Sequence, residues 1–228
     1  MITNEIKDNG YAIIKNVLTD EEIMEYRDLL DSHYSVAKVW KKKKQRYSGK
    51  YIPGWAGITP ELGQLNMLHK DERIMSILTD IFSGKDFRFI NHSDLHQNVA
   101  SGWHRDTGDL ERGGCDADSL WDEDCFIVKV CFLLQDHTKG GHGLCFRPRT
   151  HLKGVSSPPV HADSVSTDLI VFDQRIAHKG QRAKPFYHTV FNHHRYFLSF
   201  GYGLDNDFSS MHAKGCTDRQ DGQRRDMK

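Results

Sequence analysis

Phe126-Ile127-Val128-Lys129-Val130-Cys131-Phe132-Leu133-Leu134-Gln135 carries β-branched and aromatic side chains almost without interruption, which predicts a strand. Its one charge, Lys129, stands in otherwise apolar surroundings. Similar short runs lie on either side at Phe87–His96, Leu144–Arg147, Leu169–Phe172 and Tyr196–Tyr202. Gly, Pro, Asp and Lys separate them, notably at Lys139-Gly140-Gly141. Working back toward the N-terminus, Gly10–Val17 reads as one more strand. Thr19 then caps a helix, with Glu22 three residues on completing a capping box and Ile23, Tyr26, Leu29 and Leu30 at helical spacing. A second helix starts near Asp71, buries Ile74, Leu78, Ile81 and Phe82, and stops at Gly84. Between Ser35 and Pro60 the pattern dissolves into Lys, Gly, Tyr, Trp and Pro, as in a long loop. Helices first and many short strands afterwards predict a mainly β fold with supporting helices. A jelly-roll, cupin-like barrel closes that many strands. The expectation is one domain over 1–228, with helical support over about 1–85 and a barrel core over about 86–204.

Composition narrows the function. The 228 residues suffice for a sizeable core, with 38% apolar, 27% charged and 11% aromatic residues, a globular profile. Lys plus Arg equals Asp plus Glu at 31 each, so no overall field favours nucleic acid or an anionic membrane. The densest apolar run, Val130–Leu134, is far too short to span a bilayer, and Met1–Asp8 has no signal-like apolar stretch. Five cysteines without Cys-x-x-Cys spacing predict structural thiols in a reducing cytoplasm. Fourteen histidines are many for this length and direct attention to metal binding.

Trp103-His104-Arg105-Asp106 follows a strand, and residues two apart on extended backbone point the same way, so His104 and Asp106 can share one ion. A third ligand should come from a later strand, and His178 sits just beyond the apolar Leu169–Phe172. His-x-Asp alone occurs widely as a turn pair or loop ion pair. What gives it weight is its order, strand context and accompanying arginine. Two histidines and one carboxylate on one face of an octahedron leave three positions open, the arrangement of Fe(II) oxygenases in which a bidentate cosubstrate and O2 fill the vacancies. The carboxylate, which a halogenase of this design would leave out for chloride, argues for oxygen insertion or desaturation. 2-Oxoglutarate ends in a carboxylate that suits the planar fork of an arginine. Arg195, opening the strand Tyr196–Phe200, is the first candidate, and Arg182, four residues after His178, is the second.

These motifs, in this order, resemble the phytanoyl-CoA dioxygenase family over nearly the whole chain. Gly10–Leu18 followed by Thr19–Ile23 resembles the family's opening strand and helix. Gly102–Asp106 is similar to its first metal motif, and Asp168–Asp173 with His178 to the segment supplying the distal ligand. Lys129–Asp136 and Gly143–His151 resemble the strands flanking its Gly-containing turn, although Arg149-Thr150 stands where Gly-Ser is usual. The interval from His178 to Arg195 is also longer than the family shows, with Ala183–His194 looking like an insertion. The resemblance implies a double-stranded β-helix that binds Fe(II) and 2-oxoglutarate. It implies oxidation of a small molecule with O2 and release of succinate and CO2.

On the strand Phe87–His96, alternation puts His92, Asp94 and His96 on one face. The resemblance implies that His92, His96 or the nearby Asn98 bonds the chelating end of the cosubstrate, against the plainer reading of a solvated strand face. Lys129 either meets a cosubstrate carboxylate or crosses the barrel surface. Trp55 and Trp103 are stacking candidates or packing anchors, and Lys41–Lys44 reads as a solvated segment. Adjacent residues on a strand face opposite sides, which argues against shared ligation by His193 and His194. The loops 35–60 and 107–124, the latter acidic between Cys115 and Cys125, are expected to close over the site. The expected partner is a small-molecule substrate, with no nucleic acid and no membrane, and the expected state a monomer or homodimer. The competing readings are a barrel that binds a ligand without turnover and a cupin-type metalloenzyme that does not use 2-oxoglutarate.

Overall fold

The computed structural model describes residues 2–36, 40–41, 49–135, 143–181 and 194–225. The Lys139-Gly140-Gly141 turn, Lys42–Lys44, Arg182, His193 and all but the last residue of Ala183–His194 lie outside them. The elements in chain order are α1 (Ile2–Asn9), β1 (Tyr11–Ile14), α2 (Asp20–Val36), β2 (Trp40–Lys41), β3 (Lys50–Pro53), α3 (Glu72–Ile81), β4 (Phe87–Gln97) and α4 (Gly108–Arg112). They continue as β5 (Ile127–Leu133), β6 (Leu144–Phe146), β7 (Val160–His161), β8 (Leu169–Asp173), β9 (His178–Gly180), β10 (Tyr196–Leu204) and α5 (Asp207–Arg225). A 3-10 segment, Pro60–Lys70, precedes α3.

Among the described residues, ten strands form two antiparallel sheets, one of seven strands in the order β1-β8-β5-β10-β4-β3-β2 and one of three in the order β7-β6-β9. Every residue of β5 is buried. Because side chains alternate, its Val128, Val130 and Phe132 enter one core with Leu30, Leu65 and Leu78 from the helical side. Its Cys131 and Leu133 enter another with Leu144 and Phe146 of the smaller sheet. A strand covered on both faces has no polar face to show, which is why it reads as one apolar run.

The same alternation makes the cavity. On β10 the outer face is Tyr196, Leu198, Phe200 and Tyr202, all in the helix-side core. The inner face runs Phe197, Ser199, Gly201, Gly203, losing bulk step by step. A side chain at Gly201 would strike Ile90 and His92 of β4. There β4 departs from regular pairing, since Phe200 faces Ser93 but Tyr202 faces Phe89. Asn91, with φ 58°, takes up the extra chain in the left-handed region that asparagine tolerates.

The capping box of α2 is present, Thr19 N donating to Glu22 Oε2 at 2.8 Å and Glu22 N to Thr19 Oγ1 at 3.2 Å. Asp71 caps α3, accepting from Arg73 N at 2.9 Å. The segment 35–60 is not featureless, because β3 pairs with both β2 and β4. All five cysteines are buried thiols without a disulfide. No described helix is long and apolar enough to cross a membrane.

Candidate metal centre

His104 and His178 meet first through their backbones. His104 N donates to His178 O at 3.0 Å, and His178 N donates to His104 O at 2.9 Å. Two backbone hydrogen bonds thus set the imidazole spacing. Each Nδ1 then lies against a main-chain oxygen, His104 on Gly102 at 2.8 Å and His178 on Ile176 at 3.0 Å. A carbonyl only accepts, so the proton resides on Nδ1 and each Nε2 keeps its lone pair for the site. Asp106 N donates to Gln174 O at 2.9 Å, which brings its carboxylate to the same point. Its Oδ1 is 3.5 Å from His104 Nε2 and its Oδ2 3.4 Å from His178 Nε2. One ligand atom from each residue lies within 4.8 Å of the others, and the Asp106 separations of 3.5 and 3.4 Å are ones that pairs of bonds of about 2.0–2.2 Å to one ion can bridge. The donor set, two imidazole nitrogens and one ionised carboxylate, fits a divalent transition metal.

Lys129 projects from β5 into this site, its Nζ 2.8 Å from Asp106 Oδ2. Burial alone would push the Asp106 carboxyl up, but Lys129, His178 and His104 outweigh it and hold the acid well below the usual carboxylate range. Burial pushes His178 down to about 4. Lys129 is itself raised, since Asp106 and Asp94 offset its burial.

The three side chains line a cavity of about 470 Å³, within the range of small-molecule sites. Arg195 lies in its wall, 4% exposed, with Nη1 donating to Val99 O at 2.5 Å. Burial pushes its guanidinium down to about 10. Gly180 lies beside it, leaving open the space where a methyl group would sit 3.3 Å from Arg195 Nη2.

The remaining sequence candidates divide. His96 lines the cavity, its ring against Phe197 and Tyr51. Asn98 is not in the wall; its Oδ1 accepts from Arg195 N at 2.9 Å and its own N donates to Arg195 O at 2.9 Å, which fixes where β10 begins. His92 lies deeper, with Nε2 3.0 Å from Asp94 Oδ2 and Nδ1 3.5 Å from Asp109 Oδ2. Burial and Lys129 oppose its charge, but Asp94, Cys216 and Asp109 raise it to about 10. Trp55 is fully buried against Phe200, a packing anchor, whereas Trp103 is part-exposed with the cations of Arg147 and Lys179 over its ring. Of the two covering loops, Tyr51 from the first and Gly108, Asp109 and Arg112 from the second reach the cavity.

Sequence reasoning missed the contribution of α5, which brings Arg219 and Gln223 to the cavity wall. It buries Ser209, His212, Ala213, Gly215, Cys216 and Gln220, a face of small and polar residues without the apolar stripe that announces a packed helix. His92, Asp109 and Cys216 also bring ligand-type atoms within 4.8 Å of one another. Asp109 is already held by Arg112 at 2.7 Å and Arg219 at 3.0 Å, and two guanidiniums on one carboxylate make that cluster an ion-pair network, not a cation site.

No protein-family model matches the chain, and a search of curated proteins gives no match. Solved structures do match. The non-haem α-ketoglutarate-dependent epimerase SnoN from nogalamycin biosynthesis aligns with TM-score 0.67 and 16% identity, over 88% of this chain and 80% of its own. HygX from Streptomyces hygroscopicus, with nickel, 2-oxoglutarate and hygromycin B bound, aligns with TM-score 0.65 and 15% identity over 90% and 86%. The non-haem α-ketoglutarate-dependent carbocyclase SnoK aligns with TM-score 0.64 and 17% identity over 92% and 88%. At such identities what is shared is the fold, a mainly antiparallel sheet structure with supporting helices.

Proposed function

We propose that this chain is a single-domain Fe(II)- and 2-oxoglutarate-dependent oxygenase of small molecules, built as a double-stranded β-helix related to the phytanoyl-CoA dioxygenases. The observation that carries this reading is the convergence of His104, Asp106 and His178 ligand atoms within 4.8 Å, with both histidine tautomers set by backbone carbonyls. Similarity in fold to SnoN, also solved with Fe3+, α-ketoglutarate and nogalamycin RO, supports it.

His104 and His178 would bind iron through Nε2, and Asp106 through its carboxylate. Lys129 would hold the second Asp106 oxygen, so that one carboxylate occupies one coordination position and the open face is kept for cosubstrate and O2. Arg195 would take the distal carboxylate of 2-oxoglutarate, with Gly180 leaving room for it and Val99, Leu144 and Phe197 walling its carbon chain from water. When bound, iron supplies O2 activation coupled to oxidative decarboxylation: one oxygen atom enters succinate and the other the substrate, with CO2 released. His104 is 39% exposed and His178 6% by side chain, so the ligand set has a closed floor and an open mouth facing substrate.

The test is anaerobic titration of the apoprotein with Fe(II), then 2-oxoglutarate, followed by admission of O2. The expected results are a visible charge-transfer band that needs both additions, succinate on aeration, and loss of both in His178→Ala. Tight binding of 2-oxoglutarate without iron, or iron binding that survives His178→Ala and Asp106→Ala, would overturn the assignment.

A further inference from the structure

The cavity has two chemically different ends. Its lining beside the ligand trio and Arg195 includes Val99, Leu144 and Phe197, with Lys129 against Asp106. The far end is polar and is built by β3, β4 and α5. There Tyr51 OH donates to Asp94 Oδ1 at 2.7 Å and accepts from Arg219 Nη1 at 2.6 Å. Arg219 Nε is held by Asp109 at 3.0 Å, and its Nη1 also by Gln223 Oε1 at 3.0 Å. Asp94 and Arg219 themselves face each other at 3.6 Å, too far for a direct hydrogen bond. The second guanidinium nitrogen, Nη2, meets the Cys216 sulfur at 3.5 Å, a weak acceptor. Packing therefore holds an anion and a cation side by side at the cavity surface, Asp94 also facing His92 Nε2 at 3.0 Å and Arg219 keeping only the sulfur contact at Nη2.

The charge layout selects among guests. An alkyl chain laid here would strip a carboxylate and a guanidinium of water and return no hydrogen bond. A purely anionic guest would meet Asp94 and Asp109, and a purely cationic one Arg219, Arg112, Lys129 and His92. A molecule bearing both an ammonium and a carboxylate satisfies both poles. We propose that this polar end is the recognition subsite for the oxidised substrate, and that the substrate is a small zwitterion of the amino-acid class, with its ammonium on Asp94 and its carboxylate on Arg219. About 470 Å³ suits such a molecule beside one 2-oxoglutarate. The inference rests on the iron and 2-oxoglutarate reading of the same cavity.

The holoenzyme with Fe(II) and 2-oxoglutarate is first checked anaerobically for its charge-transfer band. Absence of the band defeats the cofactor reading, independently of any substrate assay. Succinate release in air is then measured with three sets of probes: individual amino acids with their N-methyl and diamino analogues, neutral sugars and polyols, and fatty acids with acyl thioesters. The expected result is stimulation of at least about tenfold by one or more members of the first set alone, with a product carrying one added oxygen. In Asp94→Asn the KM for the stimulating compound should rise about 10- to 150-fold, the loss of one charge-assisted hydrogen bond, with its deaminated analogue affected far less. Arg219→Met should show the reverse preference, and Arg219→Lys, which keeps the charge and the fold, a partial loss. Stimulation by sugars or acyl chains, no response to any amino acid, or a response unchanged in the Asp94 and Arg219 variants overturns the proposal.

Discussion

Lys129 shows what a single side chain contributes. A fully buried ammonium in the middle of an apolar strand is tolerable only with a counter-charge, and Asp106 stands 2.8 Å away. Removing one member of a buried pair strands the other, so Lys129→Met should destabilise the metal-free protein by about 3–5 kcal/mol. A divalent ion on Asp106 would replace the missing charge, and the penalty should shrink when Mn(II) is added. Urea unfolding of parent and variant, with and without Mn(II), checks this; equal stability of the two metal-free proteins would show that the pair contributes little. The lysine was legible in the sequence as the one charge in Phe126–Gln135, and so were His104, Asp106 and His178 as a motif followed by a strand-end histidine. Its partner was not, because 23 positions separate Lys129 from Asp106 and only the sheet register brings them together.

Among the elements, α5 has the most consequence and left the weakest sequence signal. It crosses α4 at two glycines: a methyl group on Gly215 would collide with the Asp109 main-chain oxygen, and one on Gly113 with that of Met211. Close backbone approach takes the place of interlocking apolar side chains here, so no hydrophobic period marks the helix. Gly215→Ala should cost about 1–3 kcal/mol, with α5 displaced and Arg219 carried away from Asp109 and Asp94. Thermal unfolding gives the first quantity, and a weakened response to whichever compound stimulates the parent gives the second; full stability in Gly215→Ala would mean the contact relaxes freely. The helices whose ends carry side-chain signals were readable, α2 from Thr19 and Glu22 and α3 from Asp71, as were the strands that make up the centre of the larger sheet. β3 was not, since Lys50–Pro53 is short, contains proline and lies near the sheet edge, where pairing with β4 decides the conformation more than propensity does.

For the whole molecule, charge balance makes pH dependence a matter of a few buried groups. With 31 acidic and 31 basic side chains, net repulsion is small near neutrality and cannot dominate unfolding. His212, 1% exposed on α5, is pushed by burial, and then by protonated His92, down to about 3, with Asp109 and Asp106 pulling weakly the other way and Lys129 adding to the depression. His92, 5.6 Å from it ring to ring, is raised to about 10. The two act oppositely on stability. Between about pH 6.5 and 3 the unfolded chain protonates residue 212 while the folded chain does not, so stability rises with pH across that window. Between about 6.5 and 10 the folded chain keeps the proton on residue 92 that the unfolded chain has lost, so stability falls as pH rises. Each limb is worth a few kcal/mol, because every tenfold difference in proton affinity between the folded and unfolded chain corresponds to about 1.4 kcal/mol. The metal-free protein should therefore be most stable near neutrality, with an acid limb that flattens in His212→Asn and an alkaline limb that persists there. Urea midpoints from pH 4 to 9 on parent and variant measure both limbs, and an acid limb as steep in His212→Asn as in the parent would assign it to His178, also pushed down by burial, and to the carboxylates instead.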